Sequence, residues 1–167
     1  MGMVKSLENN CTSDKKIEKL LENDSCYSIT PFYFVYNSEL FDELENYMLN
    51  NIENYLCKIK NIIFKIITYY DDVEISLSEF PKEGEFKYKE YELTNIPIHS
   101  YKLIDDVITY IAKMDITKIN VFFKKENMLF HIGGYFSFYV FGENEEFLNF
   151  LKIHVQSEGL FIFKRQF

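Results

Sequence analysis

Between Leu40 and Ile59 the apolar residues recur at spacings of three and four, which is the period of one helix face. Leu40, Phe41, Leu44, Tyr47, Met48, Ile52, Tyr55, Leu56 and Ile59 make the stripe, and Glu39, Asp42, Glu43, Glu45, Asn46, Asn50, Glu53 and Asn54 make the opposite face. Asn37 or Ser38 can cap the helix, since either side chain can accept from a free N–H of the first turn. Acids crowd the first turns while Lys58 and Lys60 sit in the last, as the helix dipole favours. The pattern can run on through Ile63, Ile66, Ile67 and Tyr70 as one helix of over thirty residues. A break near Asn61 and a strand to Tyr70 is the preferred reading, because helices near a dozen residues are commoner and Ile62 to Tyr70 is dense in β-branched and aromatic residues.

The rest of the chain alternates strand and helix signals. Ser13 can cap a short helix carrying Ile17, Leu20 and Leu21, and Ser28 to Tyr36 reads as a strand that Pro31 moves towards a sheet edge. Asp71-Asp72 is a turn, and Val73, Ile75 and Leu77 then alternate with Glu74, Ser76 and Ser78. Glu85 to Leu93 reads as a further strand, with a bulge at Glu90 where the parity of its bulky residues changes. A helix over His99–Lys113 follows, then strands over Lys118–Lys124, Met128–Ile132 and Tyr135–Phe141, with turns at Lys125-Glu126-Asn127 and Gly133-Gly134. Asn144 caps a last helix that Gly159 can end, and Leu160 to Lys164 is a last strand. The expected fold is α+β: a mostly antiparallel, possibly mixed sheet of about seven or eight strands, with three to four helices packed on one side of it. Residues 1–12 read as a frayed terminus and residues 13–167 as a single domain.

Composition narrows the class of function. The 167 residues carry 26 acids against 18 bases, a formal charge of −8, and Arg165 is the one arginine. Phosphate recognition favours the planar guanidinium, and nucleic-acid binding rests on basic patches, so nucleic acid is not an expected partner. Cys11, Cys26 and Cys57 are widely spaced, which suits free thiols in a reducing compartment. No signal-like segment and no run of about 20 apolar residues is present, so a cytoplasmic protein without a membrane partner is expected.

Candidate chemistry is sparse. Asp71 or Asp72, followed by Glu85-Phe86-Lys87, resembles the D…ExK arrangement of restriction-endonuclease-like enzymes. There, two acids hold a divalent ion and the lysine helps to activate water. The match is three residues, and alternating Glu and Lys is also what the wet face of an exposed strand shows. His99, His131 and His154 form no HxxxH or HExxH pair, and Cys57 stands at a helix end that disfavours thiolate. Asp105-Asp106 and Glu145-Glu146 are adjacent helical positions whose side chains diverge. No P-loop, GxGxxG or GxSxG occurs, so no metal, no cofactor and no catalytic residue is assigned.

What remains is the acidic face from Glu39 to Glu53, together with Glu143, Glu145 and Glu146, and the Tyr/Phe-rich strand around Tyr135–Phe141. Aromatic residues make 18% of the chain, with 13 Tyr and 17 Phe, so tyrosine anchors beside carboxylates are a reasonable docking device. In these features the chain resembles bacterial toxin-immunity proteins, by general character over its whole length and without a shared motif. The resemblance implies a non-enzymatic inhibitor that covers a basic, nuclease-type toxin. The toxin-facing set it points to is Glu39, Asp42, Glu43, Asn46, Asn50, Glu53, Tyr135 and Tyr139. The rival readings are a nuclease-like enzyme on Asp71/Asp72 and Glu85-x-Lys87, and a structural or adaptor subunit. Oligomeric state is left open.

Overall fold

A computed structural model describes residues 13–23, 25–32, 46–47, 49–80, 86–92, 94–134 and 137–165. Helix α1 covers residues 13–21 and strand β1 is Cys26–Thr30. Helix α2 is Ile52–Tyr69, β2 is Val73–Ser78 and helix α3 is Tyr101–Met114. Strands β3 (Lys118–Phe123), β4 (Met128–Ile132) and β5 (Phe138–Phe141) precede helix α4 (Glu145–Ser157) and strand β6 (Phe161–Lys164). The strands form a six-stranded sheet in the order β2-β3-β4-β5-β1-β6, antiparallel throughout. The α+β class is as expected, and the strand count is lower for two identifiable reasons.

The first is residues 61–70, which continue α2 and do not form a strand. Tyr55, Leu56, Ile59, Ile62, Ile63, Ile66 and Ile67 are all buried, which is the 3.6-residue period carried on without a break. A strand would have put Ile63 and Ile67 on the same face as Asn61 and Lys65, so period two fails here. β-branched residues have only a weak preference against helix, and burial of one continuous isoleucine stripe outweighs it. The helix ends at Tyr70, whose extended backbone still donates its N–H to the Ile66 carbonyl.

The second is the segment around Phe86–Tyr91, where the structure has a short 3-10 helix, Lys89–Tyr91, instead of a strand. Its rings pack end-on: Phe86 against Phe80 at 5.7 Å and Tyr88 against Tyr110 of α3 at 5.4 Å. The bulky residues there serve ring contacts and not a ladder. The strand expected over Ser28–Tyr36 is observed as Cys26–Thr30, immediately before Pro31, and residues 33–36 lie outside the described residues.

The helices also lie on both sides of the sheet, where packing on one side was expected. Ile75, Leu77, Ile119, Val121, Phe123, Met128, Phe130, Ile132, Phe138 and Val140 meet α2, α3 and α4 in the main core. On the other side Ile17 and Leu20 of α1 cover Cys26, Phe122, Leu129 and Phe141. The cause is legible in β3 and β4, where KINVFF and MLFHI are apolar on both parities and need cover on both faces.

Local chemistry fixes the joints. Asn144 caps α4, its side-chain oxygen accepting from the Phe147 N–H at 3.0 Å. Asn144→Ala is expected to cost about 1 kcal/mol of stability, measured by urea denaturation. Gly134, at the start of the β4–β5 connection, donates its N–H to Asp115 Oδ1 at 2.9 Å, and a Cβ there would collide with the Asp115 side chain.

Candidate interaction site

The residues proposed from sequence divide between places. Glu39, Asp42, Glu43 and Tyr135 lie outside the described residues. Asn46, Asn50 and Glu53 are exposed at the N-terminal side of α2, in helical backbone apart from the turn at Asn51. Glu53 is ion-paired with Lys113, which ties α2 to α3. Lys60 makes a second tie to Asp105, at 2.8 Å. Tyr139 is half-buried on the α1 side of the sheet, with the Arg165 guanidinium over its ring at 5.1 Å. Glu53 and Tyr139 therefore stand on opposite sides of the sheet, and no single flat partner surface meets both.

The D…ExK residues are not brought together either. Asp71 and Asp72 precede β2 and pair with Lys125 at 3.8 Å and Lys124 at 3.7 Å. Lys87 lies over the Tyr88 ring at 4.9 Å, next to Phe86, which packs on Phe80 beyond the other end of β2. A six-residue strand separates the two ends, about 17 Å at 3.3–3.4 Å per residue. Glu85 lies outside the described residues. Among the described residues no group of three or more His, Cys, Asp or Glu side chains is placed to hold a metal ion, and no helix is long and apolar enough to cross a membrane.

Because α2 runs on to Tyr69, it delivers an aromatic surface that a strand over 62–70 would have dispersed. Tyr69 is 65% exposed and stacks on Phe150 of α4, ring centroids 4.3 Å apart and planes 28° off parallel. Phe150 also meets the edge of His154 at 4.6 Å and of Tyr70 at 5.8 Å. Ile153, one turn on from Phe150, is 64% exposed. Tyr70 anchors the group inward through Phe147 at 4.8 Å and Phe123 at 5.8 Å, so the outer rings are held by the core.

Carboxylates border this stack. The Tyr70 hydroxyl is pushed above its ordinary pKa first by burial, then by Glu126, Tyr69 and Glu146. Two acids from different elements thus stand close enough to be felt there. Asp71, the next residue, is exposed over 91% of its side chain. Glu126 Oε2 is buried without a hydrogen-bond partner among the described residues. Lys125 is the nearby cation, at 3.8 Å from Asp71, and Lys65 is engaged with Glu158 at 2.8 Å. Exposed, rigid aromatic rings beside carboxylates are suited to receiving a cationic protein surface: rings supply contact area and cation–π attraction, carboxylates supply steering and hydrogen bonds.

A separate polar chain crosses the opposite face of the sheet. His131 is 8% exposed and Asn120 is 3% exposed. His131 Nδ1 bonds Asn120 Oδ1 at 2.7 Å, and Asn120 Nδ2 donates to Ser78 Oγ at 3.2 Å. With a carbonyl oxygen facing it, Nδ1 carries the proton. Burial lowers the His131 pKa, the Glu79 carboxylate at 3.9 Å raises it, and Lys118 lowers it. A folded-state value below the ordinary 6.5 means that the unfolded chain binds more protons as pH falls. Stability is therefore expected to fall as pH drops through about 6.5, the unfolded value, and on down to the lowered folded value. His131→Gln should flatten that slope in thermal melts, and an unchanged slope would contradict this assignment. The ring stands between Asn120 on Nδ1 and the Glu79 carboxylate, 3.9 Å from Nε2, and reads as part of a structural polar chain.

No protein family, no curated protein and no solved structure matches this chain.

Proposed function

We propose that the protein is a non-enzymatic binding protein whose partner is a basic protein, of the kind that immunity proteins neutralise. The observation that carries it is the Tyr69–Phe150 stack, exposed on the helical side and bordered by the carboxylates of Asp71, Glu126 and Glu146. The charge of −8 supports the sign of the partner, since a net negative protein attracts a cationic one over the distance that screening allows. The resemblance in character to toxin-immunity proteins supplies the class: a chain whose work is to cover a toxin's basic working surface. Asn46, Asn50 and Glu53 are exposed at the opposite end of α2 from Tyr69, with Glu53 paired to Lys113, so they lie apart from this stack.

The test is in cells. The product of the reading frame next to this gene is expressed alone, with the wild-type chain, and with Tyr69→Ala. Growth arrest by the neighbour alone, rescue by the wild type and loss of rescue by the variant are the expected results. A neighbour that is harmless alone, or harmful with the wild-type chain present, counts against the assignment.

A further inference from the structure

The sheet ends differently at its two edges. At the β2 edge the Ile96 N–H donates to the outward carbonyl of Ile75 at 2.8 Å, so the chain itself covers part of that edge. At the other edge stands β6, and among the described residues no backbone hydrogen bond is made to its outer side. Arg165 donates its N–H to the Cys26 carbonyl at 2.8 Å, on the inner side. Antiparallel pairs alternate, so Phe161, Phe163 and Arg165 turn their backbone groups to β1. Ile162 and Lys164 therefore each turn an N–H and a carbonyl to the open side.

The side chains of these two residues face the helices. Ile162 packs against the main core, and Lys164 stands opposite Tyr27, which does the same. Above them α4 leaves a groove of about 340 Å³, lined on the helix by Glu145, Leu148, Asn149 and Lys152 and on the strand by Ile162 and Lys164. Those helix positions share one flank of α4, whereas Phe150 and His154 lie on the other flank, in the aromatic stack. Residues 158–160 join α4 to β6, so helix and strand run in opposite directions. The charge of −8 opposes self-association in general, but this groove carries two lysines to one glutamate.

We propose that a second copy of this chain docks on this edge, β6 against β6, in a two-fold dimer that joins the two six-stranded sheets into one. A two-fold interface needs a patch complementary to itself, and this one is so in two respects. With the axis at Phe163, Ile162 exchanges backbone hydrogen bonds with the partner's Lys164, and Lys164 with the partner's Ile162. The same axis passes between Leu148 and Asn149, the middle of the α4 flank that lines the groove. It sets Lys152 of each copy level with the partner's Glu145, since the two positions are seven residues apart, about 10.5 Å along the helix. Pairing of two short strands buries little surface, and the two α4 flanks supply the remainder. The aromatic stack, on the other flank of α4, stays open, so failure of the dimer would leave the protein-binding assignment standing.

Sedimentation velocity of the full chain over a concentration series is expected to show a monomer–dimer equilibrium. Ile162→Pro removes an outward N–H, leaves the bonds to β1 in place and should abolish the dimer. Glu145→Lys and Lys152→Glu, at exposed helix positions, should each weaken association about tenfold or more, and the double exchange should restore it. Circular dichroism checks the fold of each variant, and the charge exchanges carry the test if the proline prevents folding. A chain that stays monomeric up to about 100 μM overturns the proposal. So does a dimer that the proline and both single exchanges leave intact, because its contact would lie elsewhere. Single exchanges that weaken the dimer without rescue by the double exchange overturn the two-fold pairing of α4.

Discussion

Phe130→Ala is expected to lower the unfolding free energy by about 3–5 kcal/mol, a large share of the 5–15 kcal/mol typical of a domain. Phe130 is fully buried on the central strand β4. Its ring meets Phe123 at 4.9 Å, Phe138 at 5.3 Å and Phe147 at 5.8 Å, joining three strands to α4 in one contact group. Alanine would leave a void bounded by rings that are themselves fixed by other rings, so collapse around it is limited. Urea denaturation should show a lower midpoint with an unchanged slope. A loss below about 1 kcal/mol would mean that the aromatic core is far more compliant than its edge-to-face geometry implies.

Tyr69→Ala should have the largest effect on binding with a small effect on folding. Interface anchors of this type are worth about 2 kcal/mol or more, which is about a 30-fold loss of affinity. The ring is mostly exposed, so the folded state loses chiefly its stack on Phe150, about 1 kcal/mol or less. Calorimetric titration of the basic partner against wild type and variant separates the two quantities. The carboxylates around the ring act differently, through encounter rate, so association should slow as salt is raised while the Tyr69 increment persists. A variant that binds as tightly as wild type would remove the stack from the interface.

The parts of the fold set by local chemistry were legible in the sequence. The Asn144 cap, the helix over 101–114 and the β3–β4 hairpin with its tight turn follow from side-chain capping, helical period and turn residues within a few positions. Asn127 indeed takes a positive φ of 52° in that turn. The features that misled depend on partners distant in sequence. Whether Ile62–Tyr70 is strand or helix turns on which isoleucines find buried neighbours, and composition alone favoured the strand. The period of those isoleucines was the available signal, since it continued that of Tyr55, Leu56 and Ile59. That one misreading concealed the candidate site, because Tyr69 reaches Phe150 only if α2 persists to its last turn. Pairing Glu53 with Tyr139 failed for another reason: sequence shows which residues are polar or aromatic, but not on which side of the sheet a helix lies. Glu146, by contrast, was part of the acidic set read from sequence, and it does stand near Tyr70.

A basic partner is expected to dock on the helical side of the molecule, at the meeting of α2 and α4. Backbone amide shift mapping of the isotope-labelled chain, with and without that partner, tests this most directly. The predicted result is perturbation concentrated at Tyr69, Tyr70, Asp71, Glu146, Phe150 and Ile153, with β3 and β4 little changed. Perturbation confined to the α1 side of the sheet, around Tyr139 and Asn120, would contradict it.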